Sequence, residues 1–112
     1  PSFRTFGTTN QDMILMSNPT LEDFKQGNRI GYFSLIKKSV LLEVGGYSPK
    51  MVKGYEDYWL WFCLLTRDKK FVTVPQPLVL YRTKEKSMYT EAKDHHEELM
   101  QQIYKDFPEA SI

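Results

Sequence analysis

The sequence predicts an α/β fold with a short mixed sheet and flanking helices. Strand-like runs rich in aromatic and β-branched residues alternate with helix-like runs, and helix start and stop signals separate them. The chain has 112 residues, of which 41% are hydrophobic, so it can bury one core, and a second domain is not expected. Its net charge of +1 gives no support for a nucleic-acid partner.

The first elements are short. Residues 12–16 (DMILM) predict a strand. Thr20 starts a helix, because Thr20 and Asp23 have the spacing of a capping box, in which each side chain satisfies a free backbone N–H. Residues 28–37 carry aromatic and β-branched residues around Gly31 and predict a second strand.

Two helices with clear ends follow. The first is expected over residues 40–44 and ends at Gly45-Gly46, because glycine readily takes the positive φ that a helix C-terminus favours. After a loop, residues 56–67 predict a stronger helix that contains both tryptophans and the single cysteine, Cys63. A lone cysteine in an apolar run predicts a buried side chain and suits a reducing cytosol.

The last third of the chain predicts two strands and a long helix. Residues 71–74 and 78–82 have strand composition on either side of a Pro-Gln-Pro turn. Residues 90–107 predict one charged amphipathic helix, because their apolar positions form a single stripe. No apolar run reaches the length needed to cross a bilayer.

Two adjacent acids, Glu56 and Asp57, stand at the start of the most apolar helix. At 100° per residue, Asp57 shares a face with Leu60, Trp61 and Leu64, which places it at the edge of the core. Desolvation there raises the pKa of a carboxyl group, and such groups serve as general bases. The alternative is that both acids only stabilise the helix N-terminus, an effect of about 0.3–1 kcal/mol.

The C-terminal half of family 2 glycosyltransferases resembles this chain in one ordered series of motifs. The series here reads NRIGYFSLIKKSVLLEVGGYSPKMVKGYEDYWLWFCLL, then a strand, then PQPLVLYRTKEKSM, and it covers about residues 24–88. The resemblance implies a partial GT-A (Rossmann-like) fold. Residues 1–112 would be a single fragment that carries the acceptor side and the catalytic base, without the nucleotide-binding N-terminal half.

The resemblance also implies an activity. The parent enzyme would be an inverting glycosyltransferase that moves a sugar from a nucleotide-diphosphate sugar to a glycan or lipid-linked acceptor. Its place would be polysaccharide or cell-surface glycan biosynthesis, in the cytoplasm or at the cytoplasmic face of the membrane. Asp57 would be the base and Glu56 its neighbour that orients the acceptor, although family members differ in which of the two acids removes the proton. The substrate-binding residues that the resemblance implies are Gly45, Gly46, Tyr47, Trp59, Arg82 and Lys84.

The residues alone leave plainer alternatives open for this set. The glycine pair is also an ordinary helix stop, and at least one of Trp59 and Trp61 is expected in the core because they point to different helix faces. Lys84 stands where the family often has a histidine, which puts metal ligation from this position in doubt. A solvated loop is the other reading of this lysine.

The donor side of the family's active site is missing from this sequence. The family's Asp-x-Asp motif, which holds the divalent cation and the sugar nucleotide, occurs nowhere in these residues. The resemblance therefore implies Mg²⁺ or Mn²⁺ in the parent, with ligands mostly outside this chain, and no metal ligand is assigned within it. The adjacent His95 and His96 point about 100° apart on a helix and do not easily share one ion.

Two further expectations concern the chain by itself. It should be inactive, and it should self-associate, because half of a sandwich leaves an apolar sheet face uncovered. The rival interpretations are a non-catalytic interaction domain and a sugar-binding module on the same scaffold.

Overall fold

Helices and a small mixed sheet make up the chain in a computed structural model that describes residues 1–111, apart from the side chains of Met88 and Tyr89. The predicted α/β class is confirmed at this level. The elements in chain order are β1 (Ser2–Gly7), β2 (Asp12–Met13), α1 (Leu21–Phe24), α2 (Lys38–Val44), α3 (Glu56–Leu65), β3 (Pro77–Thr83), α4 (Met88–Lys93), α5 (His96–Asp106) and a 3-10 turn (Pro108–Ala110).

The sheet has the order β2-β1-β3. Strand β1 is antiparallel to β2 and parallel to β3, with Thr5 opposite Tyr81 and Phe6 opposite Arg82. Because side chains alternate along a strand, the sheet has two distinct faces. The face that carries Phe3, Thr5, Val79 and Tyr81 is called the inner face here. The outer face carries Arg4, Phe6, Leu78, Leu80 and Arg82.

Helix α3 lies at the centre of the core. It is apolar on all sides after its first turn, and a helix of that kind must be buried all round. Its buried residues contact Phe24 of α1 and the apolar side of α5, which contributes Leu99, Met100 and Ile103. The buried residues of α3 are Tyr58, Leu60, Trp61, Phe62, Cys63 and Leu64. Only the N-terminal turn of α3, with its two acids, reaches the edge of this core.

Several local predictions are confirmed. The capping box at α1 is present, and the carboxylate of Asp23 accepts the backbone N–H of Thr20 at 2.8 Å. Helix α2 ends at Gly45, which adopts the left-handed conformation with φ of 81°. Helix α3 begins at the predicted residue, and the last predicted strand corresponds to β3.

Other predictions are wrong or incomplete. Residues 28–37 form no strand and cross the inner face as irregular chain. Their aromatic side chains pack against the sheet, but their backbone does not pair with it. Residues 71–74 also form no strand, although Val74 accepts the backbone N–H of Ser2 at 2.9 Å. Only the first two residues of the segment 12–16 pair as a strand.

The long helix expected over residues 90–107 is two helices. Helix α4 ends at Lys93, and α5 starts at His96 after a two-residue turn. Strand β1 had no sequence signal, because its residues lack a clear period. It forms because β3 and β2 both pair with it.

Candidate functional site

The loop before α3 is held in place by α4 and α5. Lys53 forms an ion pair with Glu98, with Nζ and Oε2 3.0 Å apart. The phenol oxygen of Tyr55 and Nδ1 of His96 form a hydrogen bond of 2.9 Å. Tyr55 itself takes a left-handed backbone conformation (φ 58°) immediately before the two acids, which non-glycine residues rarely adopt. These contacts join the segment before α3 to α5.

Asp57 is a half-buried carboxylate with two protein donors. Its Oδ1 accepts the backbone N–H of Tyr58 at 2.8 Å, and its Oδ2 accepts an N–H of the Asn28 side-chain amide at 3.2 Å. Burial raises the pKa of Asp57 above its ordinary value of 3.8, and the neighbouring charge of Glu56 acts in the same direction. The two donors lower it, but burial prevails.

Glu56 is the less constrained of the two acids. It is half-buried, and among the described residues no hydrogen bond or ion pair fixes its side chain. The structure therefore distinguishes the pair: Asp57 is oriented, whereas Glu56 is free to turn toward a ligand.

Asn28 was not identified from the sequence. It begins the irregular segment 28–36, called the strap here, which runs from Asp57 to the inner face of the sheet. Its side-chain oxygen also accepts the backbone N–H of Ile30 at 3.3 Å, so one amide holds both the strap and the acid. No local pattern signals a contact between residues so far apart in the chain.

Trp59 has a structural role in this fold. Its indole N–H donates to Oδ2 of Asp106 at 3.0 Å, and its ring lies 5.0 Å from that of Phe107. Both contacts join α3 to the end of α5. Trp61 is buried in the core, as expected for at least one of the two tryptophans. Trp59 is partly buried and Trp61 is buried.

The remaining predicted residues make no described polar contact with the acids. Gly45 and Gly46 both have positive φ and form the helix stop, with open space around them, and Tyr47 is exposed beside them. Arg82 points to the outer face of the sheet, where its guanidinium lies 5.4 Å from the ring centre of Phe6. Lys84 is exposed just beyond β3. In the described part of the chain, no hydrogen bond or ion pair joins any of these residues to the acids.

No group of three or more His, Cys, Asp or Glu side chains within the described residues could hold a metal ion. The residues present therefore do not fit a divalent cation on their own. Two open depressions, of about 300 and 320 Å³, lie on the outer face around Leu80 and along the α4–α5 turn around His95. Neither is lined by Glu56 or Asp57. None of the described helices is both long enough and apolar enough to span a membrane.

Comparisons with protein-family models, curated proteins and solved structures found no match.

The arrangement can accept a proton. A half-buried carboxylate with a raised pKa stands at the start of α3, and each carboxylate oxygen can accept more than one hydrogen bond. A hydroxyl group that enters beside Asp57 could donate to either oxygen.

Proposed function

We propose that this chain is the acceptor-side portion of an inverting glycosyltransferase with a GT-A fold, and that Asp57 is its catalytic base. The observation that carries the proposal is the state of Asp57, which is oriented by two donors and raised in pKa by burial. General bases work best when their pKa lies closer to the working pH than that of a free carboxyl group.

The proposed reaction is a single displacement. An acceptor hydroxyl gives its proton to Asp57 while its oxygen bonds to the anomeric carbon of the donor sugar. The bond from that carbon to the nucleoside diphosphate breaks, and its electron pair leaves with the diphosphate. The donors from Asn28 and Tyr58 hold the carboxylate plane still during this transfer, which reduces the reorganisation that the reaction requires.

The partners would be a nucleotide-sugar donor and a glycan or lipid-linked acceptor. A divalent cation, Mg²⁺ or Mn²⁺, would offset the charge on the departing diphosphate in the parent enzyme. Its ligands would come mostly from outside this chain.

A non-catalytic role has one observation in its favour. The bond from the Tyr58 N–H to Asp57 is also what a purely structural acid provides in the first turn of a helix. On that view the chain is an interaction or sugar-binding module, and the acids contribute only to stability.

Turnover by the longer parent protein separates these roles. Asp57→Asn keeps the shape of the side chain but removes the proton acceptor, so we expect turnover to fall by about 10²-fold or more. Glu56→Gln should mainly raise the acceptor KM, because its proposed role is orientation. Asp94→Asn, at an exposed acid in the α4–α5 turn, is the matched control and should leave turnover unchanged.

Three results would decide against the assignment of Asp57. Near-normal turnover of Asp57→Asn excludes it as the base, and loss of turnover in Glu56→Gln alone would exchange the roles of the two acids. If activity in both variants instead falls only in proportion to the melting temperature, the acids are structural.

A further inference from the structure

The strap presents one tyrosine to solvent in a fixed position. Phe33 points inward, and its ring lies 5.2 Å from that of Phe3 and 6.2 Å from that of Tyr81 on the inner face. Its ring folds back over Gly31, where a Cβ atom would come within 2.6 Å of the far end of the ring, so a side chain at this position would displace Phe33. The inward Phe33 leaves its neighbour Tyr32 pointing outward.

Tyr32 is exposed, but neighbouring rings restrain its side chain. Its side chain is 60% exposed, and its ring makes edge-to-face contacts with Phe33 and Tyr81 at centroid distances of 5.3 and 6.5 Å. A tyrosine held in this way loses little conformational freedom when it binds a ligand, because only two side-chain torsions are involved and neighbours already restrict them.

Tyr32 is close along the chain to a contact of the candidate base. The strap begins at Asn28, whose amide contacts Asp57, and Tyr32 follows four residues later. Four residues extend by at most about 14 Å between their Cα atoms. A short oligosaccharide covers such a distance, so one sugar could stack at Tyr32 while a hydroxyl of another lies beside Asp57.

We propose that Tyr32, with Tyr81 beside it, forms a stacking site for a sugar ring of the acceptor glycan. The apolar C–H face of a pyranose packs against an aromatic face, and the tyrosine hydroxyl can bond to the polar rim of the sugar. The identification of the bound sugar as an acceptor rests on the proposed function, whereas the stacking itself does not.

Saturation-transfer NMR on this chain tests the site, with cello-, malto- and chito-oligosaccharides as probes. We expect at least one of the three to bind, and Tyr32→Ala to weaken that binding about fivefold, the loss of one aromatic contact of about 1 kcal/mol. Tyr32→Phe keeps the ring and should bind almost as well. Leu35→Ala changes a fully exposed residue of the same strap that has no aromatic face, and should leave binding unchanged.

Melting curves of all variants show whether each remains folded. The proposal is overturned if none of the three probes binds, or if Tyr32→Ala binds a probe as tightly as the unmodified chain does.

Acceptor kinetics in the parent separate this inference from the proposed function. Tyr32→Ala should raise the acceptor KM with little change in kcat, whereas Asp57→Asn should lower kcat. If Asp57→Asn abolishes turnover and Tyr32→Ala leaves KM unchanged, only the stacking site fails. If sugar binding depends on Tyr32 but Asp57→Asn does not change the activity, the stacking site stands and only the proposed catalytic role of Asp57 is rejected.

Discussion

Two opposing effects act on Asp57 at the residue scale. Burial disfavours the ionised form, while the N–H groups of Tyr58 and Asn28 favour it, and the balance leaves the pKa above 3.8. A carboxylate in that state is better suited to proton transfer than to fold stability, because its charge opposes burial whenever it is ionised.

The raised pKa predicts a particular dependence of stability on pH. Between pH 3.8 and the higher folded pKa, the native state holds more of the Asp57 proton than the unfolded state does. Ionisation of Asp57 therefore lowers the free energy of unfolding as pH rises through that window. Because asparagine does not titrate, the stability of Asp57→Asn relative to the unmodified chain should increase from about pH 3 to about pH 7. Urea denaturation across this range measures it.

Asp23→Asn is the control of opposite sign. Hydrogen bonds from Thr20 hold the pKa of Asp23 below its ordinary value, so its ionised form stabilises the native state above the unfolded pKa, and this is lost at lower pH. The relative stability of Asp23→Asn should therefore decrease over the same rise in pH. If the free energy of unfolding of Asp57→Asn relative to the unmodified chain does not change with pH, the buried environment assigned to Asp57 is wrong.

The position of Asp57 was predictable, but its environment was only partly so. Helical geometry places it on the face of Leu60, Trp61 and Leu64, and all three are buried. Its contact with Asn28 was not predictable, because that contact depends on how the irregular strap packs over the fold. Tyr32 was missed for the same reason.

At the scale of elements, the contact between α3 and α5 fixes the position of the site. Asp106 accepts hydrogen bonds from the indole of Trp59 and the amide of Gln102, both at 3.0 Å, and Lys50 lies 3.6 Å away. Burial acts to raise the pKa of Asp106, but these partners together hold it below its ordinary value. The ring of Trp59 belongs to this junction.

A double-mutant cycle of Trp59→Phe and Asp106→Ala should show this coupling. Trp59→Phe removes the indole donor but keeps an aromatic ring near Phe107, Asp106→Ala removes the acceptor, and we expect a coupling energy of about 1 kcal/mol from chemical denaturation. Trp61→Phe is the matched control, because the buried Nε1 of Trp61 has no hydrogen-bond partner among the described residues. Trp61→Phe should destabilise through lost packing but show no coupling to Asp106→Ala. Equal coupling in both cycles would contradict a specific Trp59–Asp106 bond.

Elements with their own start and stop signals were predictable, and elements that depend on distant partners were not. The helix cap at Thr20 and the glycine stop after α2 depend only on adjacent residues, so both can be recognised from the sequence. A strand needs a neighbouring strand with which to form hydrogen bonds. The composition of residues 28–37 and 71–74 does not show whether such a neighbour is present. The turn between α4 and α5 contains neither glycine nor proline, so tertiary packing sets it, with α4 against the loop before α3 and α5 against the core.

At the scale of the whole molecule, the two faces of the sheet differ. The strap covers the inner face with Phe33, whereas Leu78 and Leu80 on the outer face are largely exposed. The outer face therefore exposes apolar side chains to solvent.

We expect the isolated chain to self-associate through the outer face. Exposed apolar surface favours association because contact removes it from water, and a second copy presents the same apolar face. Leu80→Lys should shift the chain toward monomer in sedimentation velocity over a concentration series, without lowering the melting temperature, because Leu80 is 71% exposed. Leu42→Lys is the matched control: it adds the same charge at a leucine of α2 that is 69% exposed, away from the sheet, and should leave association unchanged. A chain that stays monomeric throughout the series, or an equal response to both substitutions, would show that the outer face does not drive association.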